Sequence, residues 1–322
     1  MKKRLIISSI IFVIISIFIV CFSLYMTRGN VFHITTIKKT YSLVSNYKEN
    51  ENFEVLLYIS DKKAYAVNID KISECKITDK EGNESIAVKI VSITDKYEAM
   101  KINNNKYFLY SFIFNVDLKT DSDLSFEIKD ALLVMKYPNF EQDVIEVSIG
   151  NFYYYKIPYY GDIGENLVIS KIKPLVNYIG YNKSLAGIDF QFYNQINNDI
   201  VINKIEVLNG DVVIGKNDIC IIDEDFSSGE NIDNILGYNY DYYDNASDNG
   251  NYNIVIKSGE IKEVLFPLKY SKEVIVDQLG LIIHYSINGE SFKVYYDDFV
   301  FFKQTSIKIN ADNLEIKTYE HA

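Results

Sequence analysis

The densest grouping of side chains able to do chemistry is the acidic stretch from Asp223 to Asn253. It holds Asp223-Glu224-Asp225, Glu230, Asp233, Asp241, Asp244, Asn245, Asp248 and Asn249. A hard cation such as calcium gathers about six to eight oxygens from loops of this kind. Within it, Asn245-Ala246-Ser247-Asp248-Asn249-Gly250 imitates the first half of an EF-hand loop, which makes Asp241, Asp244 and Asp248 candidate calcium ligands. The imitation is incomplete. The first ligand position is Asn245 rather than Asp, and the twelfth is Ile256 rather than the bidentate Glu. The alternative is a solvated loop between two strands, with Leu236, Tyr238, Tyr240, Tyr242 and Tyr243 covering part of a sandwich. A loop this long in a compact domain is often functional or disordered; on the functional reading Tyr240, Tyr242 and Tyr243 are candidate binding residues.

A second aromatic grouping, Phe152-Tyr153-Tyr154-Tyr155-Lys156-Ile157-Pro158-Tyr159-Tyr160, offers Tyr153 and Tyr155. Tyrosine supplies large contact area at low entropic cost, which suits binding surfaces. The competing reading is a last strand of one domain running into a linker, its rings packed against the domains on either side.

Catalytic sets are missing. Nucleophilic catalysis by Ser or Cys needs a base, usually histidine. The chain has three histidines: His33, His284 in a strand-like run, and the penultimate His321. No G-x-S-x-G, H-E-x-x-H, C-x-x-C or P-loop motif occurs, and zinc lacks ligands for the same reason. A carboxylate-pair glycosidase needs no local motif, but the absence of Trp removes its usual sugar platform. The expectation is therefore no enzyme and no resident cofactor, calcium excepted.

The elements that position these residues begin with Met1-Lys2-Lys3-Arg4 and an uncharged apolar run from Leu5 to Met26. A membrane-crossing helix needs about 20 such residues. Basic residues ahead of the run favour a cytoplasmic amino terminus. The exit Phe22-Ser23-Leu24-Tyr25-Met26 lacks the small-residue pair of a cleavage site. The expectation is an uncleaved single-pass anchor over 5–26, with residues 1–4 cytoplasmic and the bulk of the chain extracytoplasmic. The 33 Lys and Arg include three ahead of the run; against 44 Asp and Glu, the remainder carries about −14. Without a basic cluster to displace counterions, no nucleic-acid partner is expected. The 27 Tyr and abundant Ile, Asn and Lys point to an AT-rich, Gram-positive bacterial source. Cys75 and Cys220 read as free thiols rather than a disulfide framework.

Beyond residue 50, short β-branched and aromatic runs alternate with turn signals such as Asp79 to Asn83, Asn103-Asn104-Asn105 and Asn209-Gly210. This pattern predicts an all-β chain of two immunoglobulin-like β-sandwich domains behind the one helix. The best single hairpin turns at Asn288-Gly289, a pair suited to a type I′ turn. At an offset of 76 residues, the segment around Phe112 to Leu132 echoes Ile188 to Leu208. That echo suits either generic hairpins or two sandwiches of related topology. The expected divisions are a juxtamembrane linker over 27–40, a first domain over 41–157, a second over 165–305, and a tail over 306–322. Taken together, the reading is a tethered, non-catalytic accessory protein of a cell envelope, with a protein or cell-wall partner. The alternatives are an ion or ligand sensor built on residues 223–253, and a surface hydrolase of unfamiliar type.

Overall fold

The computed structural model describes residues 16–17, 31–46, 51–116, 124–138, 144–157, 166–179, 182–208, 211–222, 236–237, 240–243, 251–271, 276, 278–300 and 314–320. The anchor expected over 5–26 lies outside these, apart from Ser16 and Ile17, which are helical. Among the described residues no helix is long and apolar enough to cross a membrane. Among the described residues everything else of regular structure is strand, save three single 3-10 turns and the helical Leu236.

Period-2 burial builds the first layer pair. In β3 (Glu51–Ile59), Phe53, Val55, Leu57 and Ile59 turn inward and are buried. In β6 (Asn105–Val116), Phe112, Phe114 and Val116 do the same. These two strands pair antiparallel, and β1 (Val31–Thr36) extends the sheet from β3. Across the core stand β4 (Glu74–Thr78), β7 (Leu124–Lys136), β8 (Val144–Ile157) and β2 (Lys39–Asn46), in the order β4-β7-β8-β2. The long β5 (Ser85–Ile102) belongs to both layers: Ser85 to Val88 pair with β4, and Lys89 to Ile102 pair with β6. Phe53 of one layer meets Phe152 of the other edge-on, with centroids 5.2 Å apart.

Residues 31–36, expected as part of a linker, are strand instead. Phe32 and Ile34 alternate into the core, and that apolar pair is what places β1 inside the first sandwich. After Ile37-Lys38 the chain crosses to the other layer, where β2 lies parallel to β8. The tail returns as well. β18 (Lys317–Glu320) pairs with β1, and the buried Tyr319 accepts the Glu146 N–H at 3.0 Å and donates to its carbonyl at 2.8 Å. Residues 306–313 of the expected tail lie outside the described residues.

The second sandwich starts at β9 (Leu167–Ile179), which pairs with β10 (Asn182–Asn194) and so with β15 (Ile261–Tyr270). β12 (Val212–Ile214) and β13 (Cys220–Ile222) share the far side of β15. The facing sheet runs β14 (Ile254–Ile256), β11 (Ile200–Val207), β16 (Gln278–Ile287), β17 (Glu290–Val300). Phe190, Phe192, Val264, Phe266, Ile202 and Ile283 are fully buried between them. The β16–β17 turn has Asn288 at φ 52° and Gly289 at φ 84°, the two left-handed residues a type I′ turn requires.

Both sandwiches have the same Greek-key order. β1-β3-β6-β5 faces β4-β7-β8, and β9-β10-β15-β12 faces β11-β16-β17. This is the immunoglobulin-like arrangement of a four-stranded sheet over a three-stranded one. The echo at offset 76 does not mark it. It aligns β6–β7 with β10–β11, whereas the positions equivalent to β6 and β7 are β15 and β16. Neither echoing pair is a hairpin, because in both the second strand joins the opposite sheet. The likeness has a simpler origin, since each segment is an alternating core strand followed by a polar crossover.

Candidate functional site

The tyrosines at 153 and 155 lie where the two sandwiches meet. β8 places Tyr153, fully buried, so that its hydroxyl lies 3.5 Å from the Asp211 carboxylate. The same oxygen accepts from the Asn151 amide and from Thr40 Oγ1 at 3.4 Å. Ser42 donates to the Leu208 carbonyl at 2.5 Å. Beside these polar contacts Val44 and Leu208 pack together, flanked by Tyr155, Ile282 and Tyr295. Gly280 completes the joint: a Cβ there would collide with Val44 Cγ2, so only glycine admits the approach. Burial, then Glu127, holds the Tyr155 hydroxyl above its ordinary range. Tyr153 has no exposed surface to offer an outside partner; it joins the sandwiches.

The segment 240–243 lies along the outer margin of the second sandwich. Tyr240 donates to Asp218 at 3.1 Å, and the Lys269 ammonium sits 4.1 Å from its ring centroid and 3.6 Å from Asp218. Burial, then Asp218, raises the Tyr240 hydroxyl. Its ring meets Tyr242 edge-on at 4.9 Å. Tyr242 is buried; its hydroxyl accepts from the Asn177 amide at 3.0 Å, and its carbonyl accepts the Tyr270 N–H at 2.7 Å. Leu236 and Tyr240 also pack on the core. Two of the three candidate tyrosines are therefore fasteners. Among the described residues, the exposed rings next to the Asn177–Tyr242 bond are Tyr243, 42% exposed, and Tyr178, 57% exposed.

Asp241 is exposed, and its carboxylate accepts the Tyr243 N–H at 2.9 Å. Asp244 and Asp248, the other expected calcium ligands, lie outside the described residues. Among the described residues no group of three or more His, Cys, Asp or Glu side chains could hold a metal ion.

A polar cluster that the sequence did not signal occupies the face of the β9-β10-β15 sheet turned away from the core. Ile188, Phe190 and Phe192 point inward, so Asp189 and Gln191 point outward. Asp189 stands opposite Lys173 on β9, and Gln191 stands opposite Lys171 and Glu263. Asp189 is fully buried, and neither carboxyl oxygen has a hydrogen-bond partner. Lys173 Nζ lies 3.9 Å from Asp189 Oδ2 and 4.0 Å from Glu263 Oε1, and Lys171 Nζ lies 3.3 Å from Glu263 Oε1. Burial, then Glu263, raises Asp189 to about 7. Burial, then the neighbouring Lys171, pushes Lys173 down, whereas Lys173 and Glu263 hold Lys171 up. An acid on the polar side of an alternating strand is unremarkable in sequence; only strand pairing brings these four groups together.

The described histidines are engaged in strand-to-strand contacts. His33 Nδ1 lies 2.9 Å from Thr318 Oγ1, and His284 Nε2 lies 3.0 Å from Glu206 Oε2. Cys75 and Cys220 are free thiols. Burial, then Glu74, pushes Cys75 up to about 12.

No family model matches the chain, and no curated protein matches its sequence. Solved structures to which it is similar include bacterial surface-protein domains. The C-terminal domain of the AgI/II polypeptide BspA of Streptococcus agalactiae is 11% identical, over 81% of this chain and 97% of that one, at a TM-score of 0.17. A protein of Corynebacterium diphtheriae described as a "putative membrane anchored protein" is 9% identical, over 90% of this chain and 58% of that one, at 0.20. The CFA/I adhesin CfaE of enterotoxigenic E. coli is 8% identical, over 82% and 84%, at 0.19. Likenesses at these scores carry no argument about what this chain does.

Proposed function

We propose that this chain is a tethered, non-catalytic binding protein on the outer side of a bacterial membrane. Residues 5–26 hold it there, and the margin of the second sandwich meets a protein or cell-wall partner. The observation that supports this most directly is the pair of exposed rings, Tyr178 and Tyr243, standing on rigid supports. Asn177 and Tyr242, the residues next to them, are fixed to each other at 3.0 Å, and Tyr242 is in turn fixed to β15. Exposed aromatic side chains held in place lose little entropy on binding, which is why they recur at the centres of interfaces. Lys183, 5.7 Å from the Tyr178 ring centroid, and Asp241 give the patch a mixed polar rim.

The test is binding of the full chain, in detergent or vesicles, to purified cell-wall polymer and to solubilised membrane proteins of the source organism. Native protein is expected to retain one of these. Tyr178→Ala combined with Tyr243→Ala is expected to lower retention at least tenfold with unchanged circular dichroism. Equal retention of native and doubly substituted protein would refute this assignment of the surface.

A further inference from the structure

The Lys173, Asp189 and Glu263 cluster holds the components of an amide bond. Condensing an amine with a carboxyl group needs a lone pair on nitrogen, an uncharged carboxyl carbon to attack, and a group to carry the proton between them. In water near neutrality both partners are charged, and the reaction does not run. Burial of charge works against both of those states. Here β9 and β10 place Lys173 directly opposite Asp189. Asp189 is fully buried, with Lys173 Nζ 3.9 Å from its Oδ2. Glu263 reaches the same amine from β15 at 4.0 Å.

We propose that Lys173 and Asp189 become joined by an intramolecular isopeptide bond, formed by the fold itself with Glu263 as proton carrier. Lys173 Nζ attacks Asp189 Cγ. Glu263 takes the proton from the nitrogen and delivers it to the departing hydroxyl, which leaves as water. One C–N bond forms, one C–O bond breaks, and no oxidant, metal or second substrate enters. Lys171 is not the nucleophile: it stays an ammonium ion 3.3 Å from Glu263, held there by that carboxylate and by Lys173. The depressed Lys173 and raised Asp189 are the protonation states the step requires. Effective molarity is supplied by two adjacent strands that hold the groups near contact. The product ties edge strand β9, through which the chain enters the second sandwich, to central strand β10.

Cleavage of the full chain after Glu165 and Glu206 releases residues 166–206 as one piece containing Lys173 and Asp189 but not Glu263. That piece is expected to weigh one water molecule less than its linear sequence. Trypsin, cutting after Lys183, should then open the loop without separating its halves. Lys173→Arg and Glu263→Gln should both restore the full mass, with circular dichroism confirming the fold. Full mass in the native protein overturns the proposal. Loss of water that persists in folded Glu263→Gln overturns the role given to Glu263. Loss that persists in Lys173→Arg overturns the choice of Lys173.

Discussion

Replacing Asp211 with Ala tests whether the two sandwiches act as one unit. The carboxylate is 6% exposed and gathers the Asn151 amide, Thr40 at 3.4 Å and Tyr153 at 3.5 Å. All three donors are buried on the first sandwich. A hydrogen bond to a charged group contributes about 1.5 to 3 kcal/mol, and a buried donor left without an acceptor costs about 1 to 3 kcal/mol. The two longer contacts are weak, and removing the charge relieves its own desolvation. The sum is a loss of about 3 kcal/mol, governed by the Asn151 contact. Asp211→Asn keeps one acceptor oxygen and should lose less than half of that. Urea unfolding followed by tyrosine fluorescence suits a chain with 27 Tyr and no Trp. Native protein should unfold in one transition, and Asp211→Ala should show two as the sandwiches lose their coupling. A midpoint change below about 0.5 kcal/mol, still in a single transition, would refute the reasoning.

Further outcomes follow from the same geometry. Gly280→Ala should destabilise by about 1 to 3 kcal/mol through overpacking, because its Cβ runs into Val44 Cγ2. Val44→Ala should recover part of that loss in the double variant, measured by a thermodynamic cycle. Tyr240→Phe, which keeps the ring over Lys269 but drops the bond to Asp218, should cost about 1 kcal/mol in urea unfolding. Cys75, buried and pushed up to about 12, should resist alkylation at pH 8 until the chain unfolds; half-exposed Cys220 should react first. Burial holds His284 below its ordinary value of 6.5, outweighing the pull of Glu206. Below about pH 6.5 the unfolded chain therefore takes up a proton that the folded one resists, so stability falls with pH there. His284→Gln should flatten that part of a stability-versus-pH curve.

How far the sequence could be read depended on how local each signal was. The Asn288-Gly289 hairpin and the all-β alternation were legible because turn chemistry and period-2 burial reside in neighbouring residues. β1 was not: Val31, Phe32 and Ile34 are too short an apolar run to announce it, and its partner β18 lies far away in sequence. Tyr240, Tyr242 and Tyr153 were singled out for their type, yet their roles depend on Asp218, Asn177 and Asp211. No spacing rule connects those partners. Tyr178, an exposed ring of that margin, carried no signal beyond being one Tyr among many.

The sequence by itself determined the class of fold, because composition and short-range periodicity act along the chain. It also set the expectations of an anchor over 5–26 and of no nucleic-acid partner. Tertiary structure decided which tyrosines fasten and which are presented. It also made Asp211 a joint between sandwiches, and placed an amine 3.9 Å from a buried carboxyl group and 4.0 Å from a second acid, on three strands. These are products of strand order and register. Pairing of β9, β10 and β15 joins residues as far apart as Lys171 and Glu263, and no local pattern records such a meeting.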